Sequence, residues 1–282
     1  MPGDADTPLR AWVDYFRDLG IHDFYRSGTG AAMDVEEMQE AAGDESAAVE
    51  ASQAVPLAVA ALSPVAGYGP PLTLISFDRL APLPAAPVPA LERAAALQAI
   101  QQEIGDCTRC PLAYAGRHKI VFGDGSPNAR LMFVGEGPGA DEDMQGLPFV
   151  GKAGQLLNNM IAAMGLARAE VYIANIVKCR PPNNRVPEPV EANTCSQFLL
   201  RQIDVVQPEV IVALGATAAM YLLGVKQSLS SLRGRWHSCR GAKLAVTYHP
   251  AFLLRDPRQK VEAWKDLQMV MGQLGLKQPA KG

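Results

Sequence analysis

The sequence predicts an α/β protein: a three-layer αβα sandwich around a central four-stranded parallel sheet, preceded by a largely disordered N-terminal extension. Three observations carry this prediction. Short apolar runs alternate with helical patterns from about residue 91 onward, an order that implies parallel strands joined by crossover helices. Residues 51–92 contain eight prolines among many alanines, a composition that cannot bury enough apolar surface to fold by itself. The formal net charge of −3 hides a split: residues 1–95 carry a net −9 and residues 96–282 a net +6. An acidic leader joined to a basic body hints at a polyanionic partner for the body.

The elements follow in chain order. In the leader, residues 1–30, Leu9–Leu19 places Trp12, Val13, Phe16 and Leu19 at helical spacing, a short amphipathic helix that reads first as a dispensable tail and, alternatively, as a docking peptide for a protein partner. Residues 31–90 are acidic and then Ala- and Pro-rich, the signature of a disordered linker. The folded domain is expected over 91–275, with a tail at 276–282. It opens with a helix over Leu91–Ile104, ended by Gly105. Strands are expected at Arg130–Val134, Val171–Val177, Val210–Leu214 and Lys243–Thr247. Helices are expected at Gly154–Met164, Pro189–Val206, Thr217–Leu223 and Asp256–Leu274, the last capped by Asp256 ahead of Pro257.

With 48% hydrophobic and 20% charged residues, the 282-residue chain can bury a sizeable core. The most apolar window, Ala54–Ala66, is short and broken by Pro56 and Pro64, so no membrane span is expected. Without a secretory pattern at the N-terminus, the sequence reads as cytoplasmic.

In sheets of this class ligands bind beyond the carboxyl ends of the strands. Those ends lead here into Gly135–Gly139, Lys178-Cys179-Arg180, Gly215 and Tyr248-His249-Pro250, the most chemically loaded segments of the chain. Two of the glycine patterns imitate phosphate loops. Gly146–Lys152 has the spacing of a nucleotide-binding loop, but Ala153 stands where a magnesium-binding hydroxyl is required. Gly135-x-Gly137-x-Gly139 lacks the dinucleotide fingerprint's third glycine, which would fall at Asp141.

Five cysteines remain to be placed. Cys107 and Cys110 form a Cys-x-x-Cys pair, Cys179 and Cys195 flank a Pro- and Asn-rich loop, and Cys239 is a spare thiol. Two close thiolates and two more complete four ligands, for zinc or an iron–sulfur cluster alike. A redox pair is the competing reading, although such pairs usually follow a strand rather than a helix.

These segments resemble the family 4, iron–sulfur, uracil-DNA glycosylases. Gly135–Gly154 resembles the family's first motif almost throughout, Asn175–Arg185 its second block and His249–Arg255 its last. The order of four cysteines also matches, and the resemblance spans about Leu91 to Gly275. It implies a uracil-DNA glycosylase-like fold and a monomeric DNA-repair hydrolase. Such an enzyme flips uracil out of DNA, cleaves its N-glycosidic bond and leaves an abasic site. The alternative is a non-catalytic uracil-DNA sensor or recruiting subunit with the same fold. A related subgroup traps DNA on a loop histidine. The loop between Cys179 and Cys195 has none, so covalent trapping is not expected.

The resemblance further implies roles residue by residue. Phe149 would stack on the base, Asn175 would read its O4 and N3–H edge, and Glu142 would exclude thymine near C5. His249 would stabilise the charge leaving through O2, Gly137 would present its N–H in the pocket wall, and Glu136 would position water. Cys107, Cys110, Cys179 and Cys195 would hold a structural [4Fe-4S] cluster. Arg180, Arg185, Arg233 and Arg255 would contact DNA, with Lys178, Arg235, Arg258 and Lys260 as further phosphate contacts. Leu253 or Leu254 would wedge into the vacated stack.

Overall fold

The computed structural model describes residues 74–277, so the expected leader helix, the acidic stretch and most of the linker lie outside the described residues. Regular structure begins before the expected boundary at 91. Helix α1 (Phe77–Leu80) buries Phe77 completely, and Arg240 holds the segment with hydrogen bonds to the carbonyls of Phe77, Ala81 and Pro82. Helix α2 (Arg93–Ile104) follows, its first residue tied to the carbonyls of Val88 and Val206.

The sheet begins with β1 (Asp124–Gly125) and β2 (Leu131–Gly135). Helices α3 (Ala140–Gln145) and α4 (Lys152–Ala163) lead to β3 (Tyr172–Asn175). Then come α5 (Pro189–Val206), β4 (Val210–Leu214), α6 (Ala216–Leu223), α7 (Leu229–Leu232), β5 (His237–Cys239) and β6 (Ala242–Thr247). The chain closes with α8 (Pro250–Arg255) and α9 (Lys260–Leu274).

The expected four-stranded parallel sheet is corrected to a mixed sheet of six strands in the order β1-β3-β2-β4-β6-β5. The four anticipated strands are its interior and run parallel, while β1 and β5 pair antiparallel at the edges. The edge strands are two and three residues long and carry no apolar run, so hydrophobic patterning cannot announce them. Alternation along the interior strands splits the core in two. Met132, Val134, Ala174, Ile211 and Val246 face α2, α5 and α6, while Leu131, Phe133, Ile173, Val212 and Ala245 face α4 and α9.

The expected closing helix over Asp256–Leu274 is also corrected. Asp256 does not cap α9, whose N-cap is Gln259; its carboxylate accepts from Arg258 Nε at 2.8 Å, and the chain turns through Pro257–Gln259 before α9 starts. The sheet order places β2 between β3 and β4, so crossovers leave β2 in opposite directions. This opens a crevice at the carboxyl ends of these three strands.

Candidate active site

A cavity of about 590 Å³ occupies this crevice. Glu136, Gly137, Glu142, Phe149, Asn175 and His249 all line it, together with Arg185 and Arg255. The six residues expected to handle the base thus converge from three separate segments of the chain.

Gly135 and Asn175 end neighbouring strands and are direct partners in the β2–β3 ladder. A Cβ at 135 would overlap both Asn175 Oδ1 and the Phe149 ring, so only glycine lets the amide and the ring approach. The Asn175 side chain is buried, and its Oδ1 has no hydrogen-bond partner. A buried acceptor left unpaired costs about 1–3 kcal/mol, a penalty that a ligand donor would remove.

Phe149 sits in the left-handed region at φ 52°, unusual for an aromatic residue. Its loop is held from outside. Arg168 donates to the carbonyls of Phe149 at 3.1 Å and Pro148 at 2.6 Å, and pairs with Asp124. Gly154 lets α4 start directly against the Phe149 carbonyl, where a Cβ would collide. Glu142 staples the other side. Its Oε2 accepts from Gly139 N–H at 3.0 Å, and its Oε1 from Val150 at 2.9 Å and Gly151 at 3.0 Å. Both carboxylate oxygens are spent on backbone, so Glu142 shapes the cavity wall.

The His249 ring lies 5.5 Å from that of Phe149, centroid to centroid. Its Nδ1 accepts from Ala251 N–H at 3.1 Å, capping α8. Burial, reinforced by Arg255, pushes the imidazole down to about 4, so it is neutral at pH 7. A neutral ring whose Nδ1 accepts carries its proton on Nε2. Burial raises the Glu136 carboxyl above its ordinary range, opposed by a hydrogen bond from Thr217.

The cationic residues divide. Exposed Arg255 and Arg185 line the cavity, and Arg180 Nε donates at 2.8 Å to Asn184, which also lines it; Arg185 is fixed by two bonds to the buried carboxylate of Glu191, at 2.8 and 2.6 Å. Arg235 and Arg258 are exposed, the latter paired with Asp256. Two expected phosphate contacts are corrected: Lys178 and Lys260 are buried. Arg233 is half-buried, paired with Asp266 at 2.7 Å and packed over the Tyr248 ring. Leu253 is core, whereas Leu254 is 43% exposed on α8. Cys239 is buried, and its thiol is pushed up to about 12 by burial.

Cys107, Cys110, Cys179 and Cys195 line one small recess, with Lys178 and Phe198. None is in a disulfide. Polar hydrogens point at three of the sulfurs: Arg117 to Cys179 at 3.2 Å, Arg109 to Cys107 at 3.5 Å and the Lys178 N–H to Cys195 at 3.3 Å. Such donors suit anionic sulfur. Among the described residues no group of three or more His, Cys, Asp and Glu side chains could hold a single metal ion.

Sequence reasoning missed Arg168, Thr217 and the cavity-lining Lys152. Only Lys152 carried a local signal, standing in the rejected nucleotide-loop look-alike.

Comparison with known proteins gives the class. A profile of the uracil DNA glycosylase superfamily matches residues 122–268. Among curated relatives, a type-4 uracil-DNA glycosylase of Thermotoga maritima is 46% identical over 162 residues, covering 57% of this chain and 84% of the relative. One from Pyrobaculum aerophilum is 43% identical over 184 residues, covering 62% and 93%, and one from Archaeoglobus fulgidus is 40% identical over 191, covering 65% and 96%. The chain belongs to the type-4 uracil-DNA glycosylases of that superfamily.

Proposed function

We propose that the cavity is the uracil pocket of a DNA-repair enzyme, with Phe149, Asn175 and His249 holding the flipped base. The protein excises uracil from DNA by hydrolysing the N-glycosidic bond. The observation that carries the residue assignment is the orphaned Oδ1 of Asn175 inside a cavity walled by an aromatic ring and a neutral imidazole.

Uracil supplies what that site lacks. Its N3–H donates to Oδ1, and its O4 accepts from the Asn175 amide N–H. Cytosine presents an acceptor at N3 and a donor at C4, so both contacts would become repulsive. Phe149 provides the stacking face. His249 Nε2–H donates to O2, where negative charge gathers as the bond from N1 to C1′ breaks. A donor already placed there is worth about 3 kcal/mol in the transition state. Water bonds to C1′, uracil departs as an anion, and the water's proton is released. Glu136, at the cavity edge and bound to Thr217, orients that water, and Gly137 presents its N–H in the wall. Arg180, Arg185 and Arg255 hold phosphates around the mouth, and Leu254 fills the space the base leaves.

The four-cysteine recess fits a [4Fe-4S] cluster: four cysteines on one recess, with N–H donors to three of the sulfurs. When bound it would be structural, since hydrolysis moves no electrons. Cys107 and Cys110 would then be tied to the loop that carries Arg180 and Arg185.

The direct test measures free uracil released from a uracil-containing oligonucleotide, alongside a visible spectrum. Release by the parent chain and its loss in Asn175→Ala with DNA affinity retained is the expected result. Undiminished release by Asn175→Ala would refute the edge-reading role. Among the described residues no helix is long and apolar enough to cross a membrane.

A further inference from the structure

Lys178 is one of the largest fully buried side chains in the protein, 1% exposed, and it stands between the two centres described above. Its Nζ donates to the backbone carbonyl of Asn175 at 3.0 Å and to Gln202 Oε1 at 2.6 Å. Its backbone N–H donates to Cys195 Sγ, and the residue is among those lining the four-cysteine recess. Gln202 is itself anchored, donating to the Phe122 carbonyl at 3.0 Å and the Tyr172 hydroxyl at 3.1 Å.

Both oxygen partners of this ammonium are neutral. None of the ion pairs among the described residues includes Lys178. A buried cation without a counter-ion costs several kcal/mol. The four cysteines that line the same recess as Lys178 would be anionic as cluster ligands. A tetrathiolate iron–sulfur cluster bears net negative charge, so the ammonium and the cluster would neutralise each other. The same nitrogen grips the residue whose side chain meets the base.

We propose that Lys178 is a positioning residue that couples the four-cysteine centre to the base-reading amide of Asn175. The proposal rests on the cluster and pocket readings given above. The cluster's charge holds the ammonium in the interior, and the ammonium holds the end of β3 in the register that keeps the Asn175 amide against Gly135 and Phe149. The metal centre thereby sets the geometry of base recognition as well as the shape of the DNA-binding loop. The side chain does not reach the cavity, so it is not a catalytic residue.

The test uses the full chain with its cluster and the substitution Lys178→Met, which keeps length and burial but removes charge and donor. Three quantities are compared with the parent: kcat and KM for uracil release, and the reduction potential of the cluster followed by its visible absorbance. The expected result is a fall in kcat of about tenfold to a hundredfold, the scale of a misplaced contact group, with KM unchanged. The potential should become more negative, because adding an electron is harder once a neighbouring positive charge is gone. A purely structural lysine would leave the potential of folded protein where it was. A brown, active parent beside a variant with unaltered kcat and potential overturns the coupling alone. A rise in KM at constant kcat also overturns it, since Lys178 would then be a DNA contact. A colourless parent would instead overturn the cluster reading, and the coupling with it. If Lys178→Met does not fold, Gln202→Met removes one of the two acceptors and keeps the charge: kcat should then fall with KM and potential unchanged, and an unaltered kcat overturns the coupling.

Discussion

At the scale of single residues, the pocket depends on side chains held in states they would not choose alone. Neutral His249 is the clearest. Its folded value near 4 lies below the ordinary 6.5, so the unfolded chain binds the extra proton between those limits. Its contribution to stability is intact above pH 6.5 and is lost as pH falls from 6.5 to about 4. Single-turnover uracil release should therefore show no loss centred on pH 6.5; an inflection there that disappears in His249→Ala would contradict a neutral donor. His249→Ala should slow the chemical step by about a hundredfold with DNA affinity little changed, as rapid-quench kinetics would show. Phe149 is held as firmly. Arg168→Met removes the two carbonyl contacts that keep its loop in place, and kcat/KM should fall by about tenfold. An unchanged value would mean that the loop holds its shape by itself.

At the scale of elements, the centre of the fold was legible and its margins were not. The four interior strands announced themselves as apolar runs, because a strand covered on both faces needs apolar side chains throughout. Edge strands β1 and β5 need no such run and left no trace. The candidate site residues stood out because Phe149, Asn175 and His249 sit in long motifs, whereas Arg168 and Thr217 make contacts that no local pattern encodes. Lys178 misled for a related reason: a lysine beside an arginine in a loop motif reads as surface, and only tertiary packing buries it. The prolines before residue 91 misled in the opposite direction. They break helices, but they did not forbid α1 and its buried Phe77. Phe77→Ala should cost about 3–5 kcal/mol, measured by denaturant unfolding. A cost below about 1 kcal/mol would make the segment an ornament. In the four-cysteine recess, on the proposed cluster reading, Cys179→Ser should bleach the protein and lower its melting temperature. Full colour in that variant would remove Cys179 from the ligand set.

At the scale of the whole molecule, charge and topology agree. The sheet gathers its strand ends at one pole, where Arg185 and Arg255 line the cavity. Binding to DNA should weaken with salt, and Arg255→Ala should lower the slope of log affinity against log salt by about one phosphate contact. An unchanged slope would place Arg255 off the backbone path. The pairing of Gly135 with Asn175 has a final consequence. Strand side chains alternate faces, so slippage by a single position between β2 and β3 would swing the asparagine to the reverse surface of the sheet. Such a molecule would be silent rather than sluggish. The specific activity of a preparation would then count its correctly zipped chains.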